Sequence, residues 1–248
     1  VTKVNTLAFF STLLFTTHPI LTETVNSISY REDLLTALFF LIAFILYLKI
    51  NKTFFNKSKF LLYYLGSLFS YLLALFSKEM AITFPILLIL FDIFYLPSGK
   101  PLQALIKKLK GIYIGYFSVT AFYLFIQFVV FRHVYIRLDQ TRQSLFVMIK
   151  VLASYIKLLF LPFNLNADYV IPPIATGFLS FIISILFVTT VIIITIQLCK
   201  NNKQYWFFIS WFFITLLPVS NIIPIGNIMA ERYLYIPIMG FSVIIGIL

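Results

Sequence analysis

The sequence predicts an all-α, polytopic integral membrane protein. Of its 248 residues, 61% are hydrophobic and only 11% are charged, whereas soluble domains average about 45–50% apolar and about 25% charged residues. The 30 Phe and 15 Tyr residues are too many for one water-soluble core of this size. Nine mostly apolar segments approach the roughly 20 residues that a spanning helix needs. Soluble and disordered proteins are therefore excluded.

The loops between the apolar segments predict the orientation, because Lys and Arg collect in short cytoplasmic loops. The nine segments are 4–17, 34–50, 60–76, 80–96, 111–131, 145–161, 174–198, 205–225 and 233–248. Basic residues without acids occur in the loops 49–59, 97–110 and 199–204. These three loops cannot all be cytoplasmic if every segment crosses, because five crossings would separate the first loop from the last.

The segment 145–161 is the best candidate for a helix that does not cross. It places Lys150, Ser154 and Lys157 in one polar stripe, which is typical of an amphipathic helix in the membrane interface. Eight crossings then remain, and every carboxylate except Asp92 falls on the extracytoplasmic side. A Lys-lined crossing that faces a cavity is the alternative. The charge asymmetry predicts that the chemistry lies on the extracytoplasmic face.

We interpret residues 1–248 as a single membrane domain. The chain starts at Val1 and stops inside the apolar run 241–248. We therefore expect a fragment of a longer protein, inactive by itself.

The first outer loop contains four charged residues, of which two have a structural explanation and two do not. Glu32 forms a predicted capping box with Ser29, and Asp33 suits the positive end of the helix that follows. Glu23 and Arg31 have no such explanation, and charges at an apolar boundary are costly unless they are paired or used. We therefore expect Glu23 and Arg31 to have a function.

The second outer turn is very short and contains Lys78. Ser77 is a candidate N-cap and Glu79 lies in the first turn of the following helix. For Lys78 a functional and a structural role are equally open.

Two more outer loops contain candidate residues. The polar loop 162–169 has a lone acid, Asp168, beside an aromatic residue. Glu231 and Arg232 form an adjacent acid–base pair at the start of the last apolar segment, a position that more often indicates function than decoration.

Four segments together carry a family resemblance. They are HPILTETVNSISYREDLL (18–35), SKEMAITFP (77–85), PFNLNADY (162–169) and AERYLYIPIMG (230–240). Their order and spacing resemble the membrane region of the transmembrane and tetratricopeptide-repeat-containing proteins, O-mannosyltransferases of the GT-C superfamily with many bacterial relatives.

The resemblance implies a GT-C-like helical bundle with an extracytoplasmic active site. Such enzymes transfer a sugar, with inversion, from a polyprenyl or dolichyl phosphate to an acceptor hydroxyl. The family has an acidic first outer loop upstream and tetratricopeptide repeats downstream. We therefore expect the usual catalytic base to precede Val1.

Candidate roles follow from that reaction. Arg31 is the first choice for the donor phosphate, because its planar fork suits phosphate oxygens, and Lys78 and Arg232 are further candidates. Glu23 and Asp168 are the candidate catalytic acids. The expected supporting residues are His18, Asp33, Glu79 and Glu231.

The expected partners are a lipid-linked sugar donor, an acceptor protein or glycan, and membrane lipid. The expected location is the bacterial inner membrane, or the endoplasmic reticulum in a eukaryote. Nucleic acid is not needed to explain the net charge of +11, because the positive-inside rule accounts for it. No nucleotide cofactor is expected, and a divalent metal requirement stays open.

Three alternatives remain at this point. Another lipid-linked sugar transferase would share the fold and the chemistry. A secondary transporter would need polar residues near the membrane midplane and internal repeats. A non-catalytic membrane anchor for the repeat domain would tolerate replacement of Glu23 and Arg31.

Overall fold

A computed structural model shows how the chain folds. It describes residues 5–50, 56–95, 109–129, 141–166, 168–169, 178–199, 203–221 and 227–247. Every regular element in these ranges is helical, which confirms the all-α prediction. The chain divides into two compact units. Unit 1 comprises Val1–Tyr30 and Ile136–Leu248, and unit 2 comprises Arg31–Tyr135. The single membrane domain stays a prediction, because one membrane domain can contain two such units.

The described residues form α-helices, and short 3-10 turns lie beside some of them. In chain order the helices are α1 (Asn5–Thr17), α2 (Thr22–Asn26), α3 (Arg31–Ile50), α4 (Lys57–Ser77), α5 (Phe84–Tyr95), α6 (Ile114–Val129), α7 (Thr141–Phe160), α8 (Phe178–Cys199), α9 (Lys203–Leu216) and α10 (Pro237–Ile247). The 3-10 turns that matter for the site are Pro19–Leu21, Ile28–Tyr30, Glu79–Thr83 and Glu231–Leu234. A π-helical turn, Leu109–Tyr113, precedes α6.

Four helices in the described ranges are long and apolar enough to cross a membrane, which is consistent with a membrane protein. They are Ile28–Ile50, Lys57–Ser77, Gly111–Val129 and Phe178–Gln197. At four other predicted crossings the helices are only 11 to 14 residues long. Proline explains one break, because Pro218 sits in a 3-10 turn directly after α9 and has no N–H to continue the ladder. The count of eight crossings therefore stays a prediction.

The predicted polar stripe of 145–161 is divided in the structure. Lys150 is buried inside unit 1, whereas Lys157 is exposed. Val151 and Tyr155, on the same helix, are completely buried. The interfacial position of this helix stays a prediction.

Hydroxyl groups join the helices of unit 2 in its interior. Ser67 on α4 donates to the carbonyl of Ala43 on α3 at 2.8 Å and shares a 2.7 Å hydrogen bond with the Tyr116 hydroxyl on α6. Buried polar groups need such partners, because an unpaired hydroxyl in an apolar interior is costly. These bonds hold the three helices in one register.

Small residues let helices of unit 1 approach closely. A Cβ atom added to Gly240 on α10 would lie 2.6 Å from the carbonyl oxygen of Phe208 on α9. The indole N–H of Trp211 on α9 donates to the carbonyl of Ile236, just before α10, at 3.0 Å. This packing positions the turn Glu231–Leu234, which directly precedes α10.

Candidate functional site

A buried ion pair joins α2 to the turn Glu231–Leu234. The Arg232 guanidinium donates to Glu23 Oε1 at 2.6 Å, and the Arg232 backbone N–H donates to Glu23 Oε2 at 2.9 Å. The two side chains are only 10% and 8% exposed. Burial lowers the pKa of Arg232, but the hydrogen bond to Glu23 and the charge of Glu23 raise it by more. The pKa of Arg232 therefore lies above its ordinary value. Both carboxylate oxygens of Glu23 are therefore engaged.

Aromatic rings complete the surroundings of Arg232. Its guanidinium carbon lies 4.2 Å from the ring centroid of Tyr30 and 5.2 Å from that of Tyr233. Such cation–π contacts stabilise a charge that is largely removed from water. Arg232 is thus held on several sides.

Helix α7 supports the same turn from a third direction. The Tyr155 hydroxyl donates to the Ala230 carbonyl and accepts from the Ala230 N–H, both at 3.2 Å. Ala230 has extended backbone at the start of the turn, and its carbonyl also accepts from the Tyr233 N–H at 3.2 Å. The tyrosine supplies a partner for the Ala230 N–H and a second donor for the carbonyl, and so holds the turn in place.

Glu231 is buried, yet only one of its two carboxylate oxygens accepts hydrogen bonds from the described residues. Oε1 accepts from the Tyr169 hydroxyl at 2.5 Å and from the Asn166 backbone N–H at 2.7 Å. Among the described residues, no group donates to Oε2 and no cation pairs with this carboxylate. Burial raises the pKa of Glu231, the two hydrogen bonds oppose that rise, and the charge of Glu23 adds to it.

The polar loop 162–169 presents its aromatic residue to this carboxylate rather than its acid. Asp168 is exposed, and its carboxylate has no hydrogen bond or ion pair within the described part of the chain. Tyr169 and Asn166 instead contact Glu231. The sequence assigned no role to Tyr169 or Asn166. The position of Tyr169 directly beside the lone acid was the one feature that could have indicated it.

Unit 2 contains a second buried ion pair. The Lys78 ammonium lies 2.7 Å from both carboxylate oxygens of Asp33 and 3.3 Å from a carboxylate oxygen of Glu32. Asp33 is 3% exposed and the Lys78 side chain is 8% exposed, whereas the Glu32 side chain is 52% exposed. The charge of Lys78 is therefore neutralised mainly by Asp33.

Two predicted helix caps are wrong. Ser29 lies inside the 3-10 turn Ile28–Tyr30, so it does not cap α3, and Glu32 contacts Lys78 instead. Ser77 is the last residue of α4, and its hydroxyl donates to the Leu73 carbonyl at 2.8 Å. In both places a 3-10 turn displaces the helix start that the cap pattern predicted.

Three remaining candidates lie apart from these pairs. Arg31 is the first residue of α3, and Glu79 is the first residue of a 3-10 turn. Both are exposed, and neither has an ion-pair partner among the described residues. His18 is buried: its Nε2 donates to the Leu159 carbonyl at 3.0 Å, and its Nδ1 accepts from the Ile20 N–H at 3.3 Å. It caps the turn Pro19–Leu21, so a contact with phosphate would displace one of these bonds.

The structure thus brings two groups of predicted residues together. Unit 1 joins Glu23, Arg232 and Glu231, with Tyr169 added. Unit 2 joins Lys78 with Asp33 and Glu32. No group of three or more His, Cys, Asp or Glu side chains in the described ranges is arranged to hold a metal ion.

Unit 1 also contains an apolar cavity of about 330 Å³ among α7, α8, α9 and α10. Ile156, Val191, Phe212 and Phe241 are among its lining residues, and none of the lining residues in the described part of the chain is charged. Its chemistry suits an apolar chain rather than a sugar.

Comparison with known proteins shows a distant relation over part of the chain. Protein O-mannosyl-transferase Tmtc3 of Drosophila melanogaster is 33% identical over 105 residues, which are 42% of this chain and 11% of that protein. No protein-family model matches the chain, and no solved structure matches it. The chain therefore resembles an O-mannosyltransferase along less than half of its length, and this similarity supports a glycosyltransferase-like function at most.

Proposed function

We propose that the chain belongs to a membrane glycosyltransferase. It transfers a sugar, mannose by analogy with the relative, from a polyprenyl or dolichyl phosphate to an acceptor hydroxyl, with inversion. The acceptor is a protein Ser or Thr, and the reaction takes place on the extracytoplasmic face of a GT-C-like bundle. The partial similarity to an O-mannosyltransferase supports this proposal.

The observation that carries it is the buried charged cluster of unit 1. Glu23, Arg232 and Glu231 lie close together in unit 1, whose buried residues are mostly apolar. Ionisable side chains in such surroundings are expensive, and they mark substrate sites more often than chance. Two acids and one cation also match the chemical needs of glycosyl transfer.

Those needs are a base for the acceptor hydroxyl, cations for the leaving phosphate and a fixed reaction geometry. Arg31 suits the phosphate because it is exposed and has no ion-pair partner among the described residues. Arg232 and Lys78 are each paired with a carboxylate already. Phosphate binding by either cation would compete with that carboxylate.

The same pairing favours a second candidate, a non-catalytic membrane anchor. If Lys78 and Arg232 only neutralise Asp33 and Glu23, the charged residues stabilise helix ends and bind no substrate. Another lipid-linked sugar transferase is the third candidate, and it differs in the sugar or the acceptor.

Transfer measured in membranes that contain the full-length protein tests the proposal. Dolichyl phosphate mannose with radiolabelled mannose is the donor, and a Ser/Thr-rich peptide is the acceptor. We expect transfer by the native protein and a loss of about 100-fold or more in Arg31→Ala, in keeping with the loss of one group that stabilises developing charge.

The matched control is Lys57→Ala. Lys57 is also exposed and is also the first residue of a helix, but it lies in a loop predicted to be cytoplasmic. Its replacement should leave transfer intact at equal protein levels. Full activity of Arg31→Ala would refute the role of Arg31. A native protein that transfers no lipid-linked sugar would refute the proposed function and favour the anchor.

A further inference from the structure

One oxygen of the Glu231 carboxylate, Oε2, accepts no hydrogen bond from the described residues, and the similarity to an O-mannosyltransferase assigns it no role. We propose that Glu231 binds a ring hydroxyl of the donor sugar through Oε2 and so helps to select the sugar, with Tyr169 and the Asn166 N–H as its positioning groups. This inference rests on the proposed function. It leaves the proton of the acceptor to the catalytic base that we expect upstream of Val1.

Three acids of unit 1 differ in what their oxygens already contact. Glu23 uses both oxygens to bind Arg232, so it has no oxygen for a sugar hydroxyl unless the ion pair breaks. Asp168 is exposed, and nothing in the described part of the chain orients its carboxylate. Glu231 combines one anchored oxygen with a second oxygen that accepts nothing from the described residues.

The anchored oxygen of Glu231 fixes the direction of the other one. Two donors, a phenol hydroxyl and a backbone N–H, converge on Oε1 at 2.5 and 2.7 Å. The same N–H also donates to the phenol oxygen of Tyr169 at 3.1 Å, so the three groups hold each other. A carboxylate held in this way keeps Oε2 in one orientation, and selection between sugars that differ at one hydroxyl requires a binding group with a fixed orientation.

The charges of the cluster favour a sugar over a phosphate as the group that Oε2 contacts. Glu23 and Glu231 are two carboxylates, and Arg232 is the one cation paired with them in the described part of unit 1. The cluster therefore has an excess of negative charge, which repels a phosphate. A sugar hydroxyl is neutral, and a hydrogen bond from a hydroxyl to a carboxylate is one of the stronger kinds.

The contact with Tyr169 shows that this carboxylate accepts a hydroxyl group. A sugar hydroxyl would make the same kind of O–H···O hydrogen bond, and Tyr169 can stay in place because the two hydroxyls occupy different oxygens. The Ser or Thr acceptor has a single hydroxyl, whose proton goes to the catalytic base. The donor sugar has several hydroxyl groups, and each of them needs an acceptor once it leaves water.

The burial of Glu231 makes such a contact selective. The residue is 2% exposed, so a sugar without the matching hydroxyl would leave Oε2 without a donor in a place with little water. Leaving a buried charged acceptor unpaired is costly. Sites that bind a substrate hydroxyl in this way reject the analogue that lacks it much more strongly than apolar pockets do.

A set of donors tests the proposal in membranes that contain the full-length protein, with a Ser/Thr-rich peptide as the acceptor. The donors are dolichyl phosphate mannose and analogues in which each free hydroxyl of the mannose is replaced in turn by hydrogen. For one analogue, kcat/KM of the native protein should lie about 10-fold to 100-fold below its value for mannose, the usual effect of a hydrogen bond to a charged group.

Glu231→Gln should remove this discrimination. Glutamine keeps an oxygen for Tyr169 and the Asn166 N–H but places an uncharged amide nitrogen where Oε2 stood. Its kcat/KM for mannose should fall by about 10-fold to 100-fold, and its value for the same analogue should lie within about 3-fold of that for mannose.

Tyr169→Phe is the second variant, because it removes one of the two hydrogen bonds that orient the carboxylate. It should weaken discrimination against the same analogue by about 3-fold or more and leave the preference for the other hydroxyls unchanged. A purely structural role for Tyr169 would lower kcat/KM for every donor by the same factor.

Tyr235→Phe is the matched control. Tyr235 adjoins the same turn, its ring contacts Phe15, and its hydroxyl has no hydrogen bond among the described residues. This variant should keep the native ratios between all the donors.

The outcomes separate this inference from the proposed function. If the native protein transfers mannose and Glu231→Gln discriminates among the donors as the native protein does, the role of Glu231 is refuted and the proposed function stands. If Glu231→Gln does not accumulate in membranes, Tyr169→Phe decides: unchanged discrimination refutes the role, and weaker discrimination at a single hydroxyl supports it. If the native protein transfers nothing from any donor, the proposed function fails and this inference fails with it.

Discussion

The buried pair of Lys78 and Asp33 gives a stability prediction that the structure makes quantitative. Asp33→Asn keeps the shape of the side chain but removes the charge that faces the Lys78 ammonium at 2.7 Å. Removing one partner of a buried pair costs about 3–5 kcal/mol, because the other charge stays buried and uncompensated. Glu32, 3.3 Å from the ammonium and half exposed, retains part of the compensation. We therefore expect a loss near the lower end, about 3 kcal/mol.

Replacing both partners should restore most of that loss. The double variant Asp33→Leu/Lys78→Met removes both charges, and apolar replacements of buried pairs are often neutral. Its free energy of unfolding should lie within about 1 kcal/mol of the native value. Glu79→Gln is the control, because Glu79 is exposed and such changes usually stay within about 0.5 kcal/mol.

Unfolding in mixed detergent micelles, followed by far-ultraviolet circular dichroism, measures all four proteins. A loss below about 1 kcal/mol in Asp33→Asn would show that the pair is not isolated from water in the way its burial indicates. A double variant as unstable as the single variant would show that the altered packing at these two positions, and not the uncompensated ammonium, causes the damage. Either result would refute the reasoning.

Two further predictions concern helix packing and pH. Gly240→Ala should cost about 1–3 kcal/mol in thermal unfolding, because its Cβ would lie 2.6 Å from a backbone carbonyl. Gly111→Ala, with nothing within 4 Å of the new Cβ, should be neutral or stabilising, and equal losses in the two variants would contradict the packing. Burial raises the pKa of the Glu231 carboxyl above its ordinary value of 4.5. The protonated carboxyl therefore contributes to the free energy of unfolding below pH 4.5, and this contribution is lost as pH rises through the raised pKa of the folded protein. Glu231→Gln should flatten this part of the stability–pH curve, and an unchanged curve would contradict the shift.

The sequence predicted those features that depend on composition and on neighbours along the chain. An apolar content of 61% with 11% charged residues predicts a membrane environment, and backbone groups in lipid must be satisfied within helices. The segments around α3, α4, α6 and α8 were therefore recognisable from their length and hydropathy. Glu23, Arg232 and Lys78 stood out because a charge beside an apolar segment needs a partner or a function.

Local patterns failed where a 3-10 turn took the place of a regular helix start. The capping box of Ser29 and the N-cap of Ser77 assume that an α-helix starts at the next residue. The turns Ile28–Tyr30 and Glu79–Thr83 lie there instead. The carboxylate that should have capped one of these starts, Glu32, contacts Lys78.

Only the tertiary structure decided which charges meet. Glu23 and Arg232 are 209 positions apart in the chain, and no local pattern states that they pair. The same holds for Tyr169 and Glu231. Their contact makes the buried Glu231, rather than the exposed Asp168, the acid that the loop 162–169 orients. Hydropathy records whether a side chain prefers water, and that preference is a property of each residue alone. Ion pairs and hydrogen bonds depend on distances across helices, and the packing of the helices sets those distances.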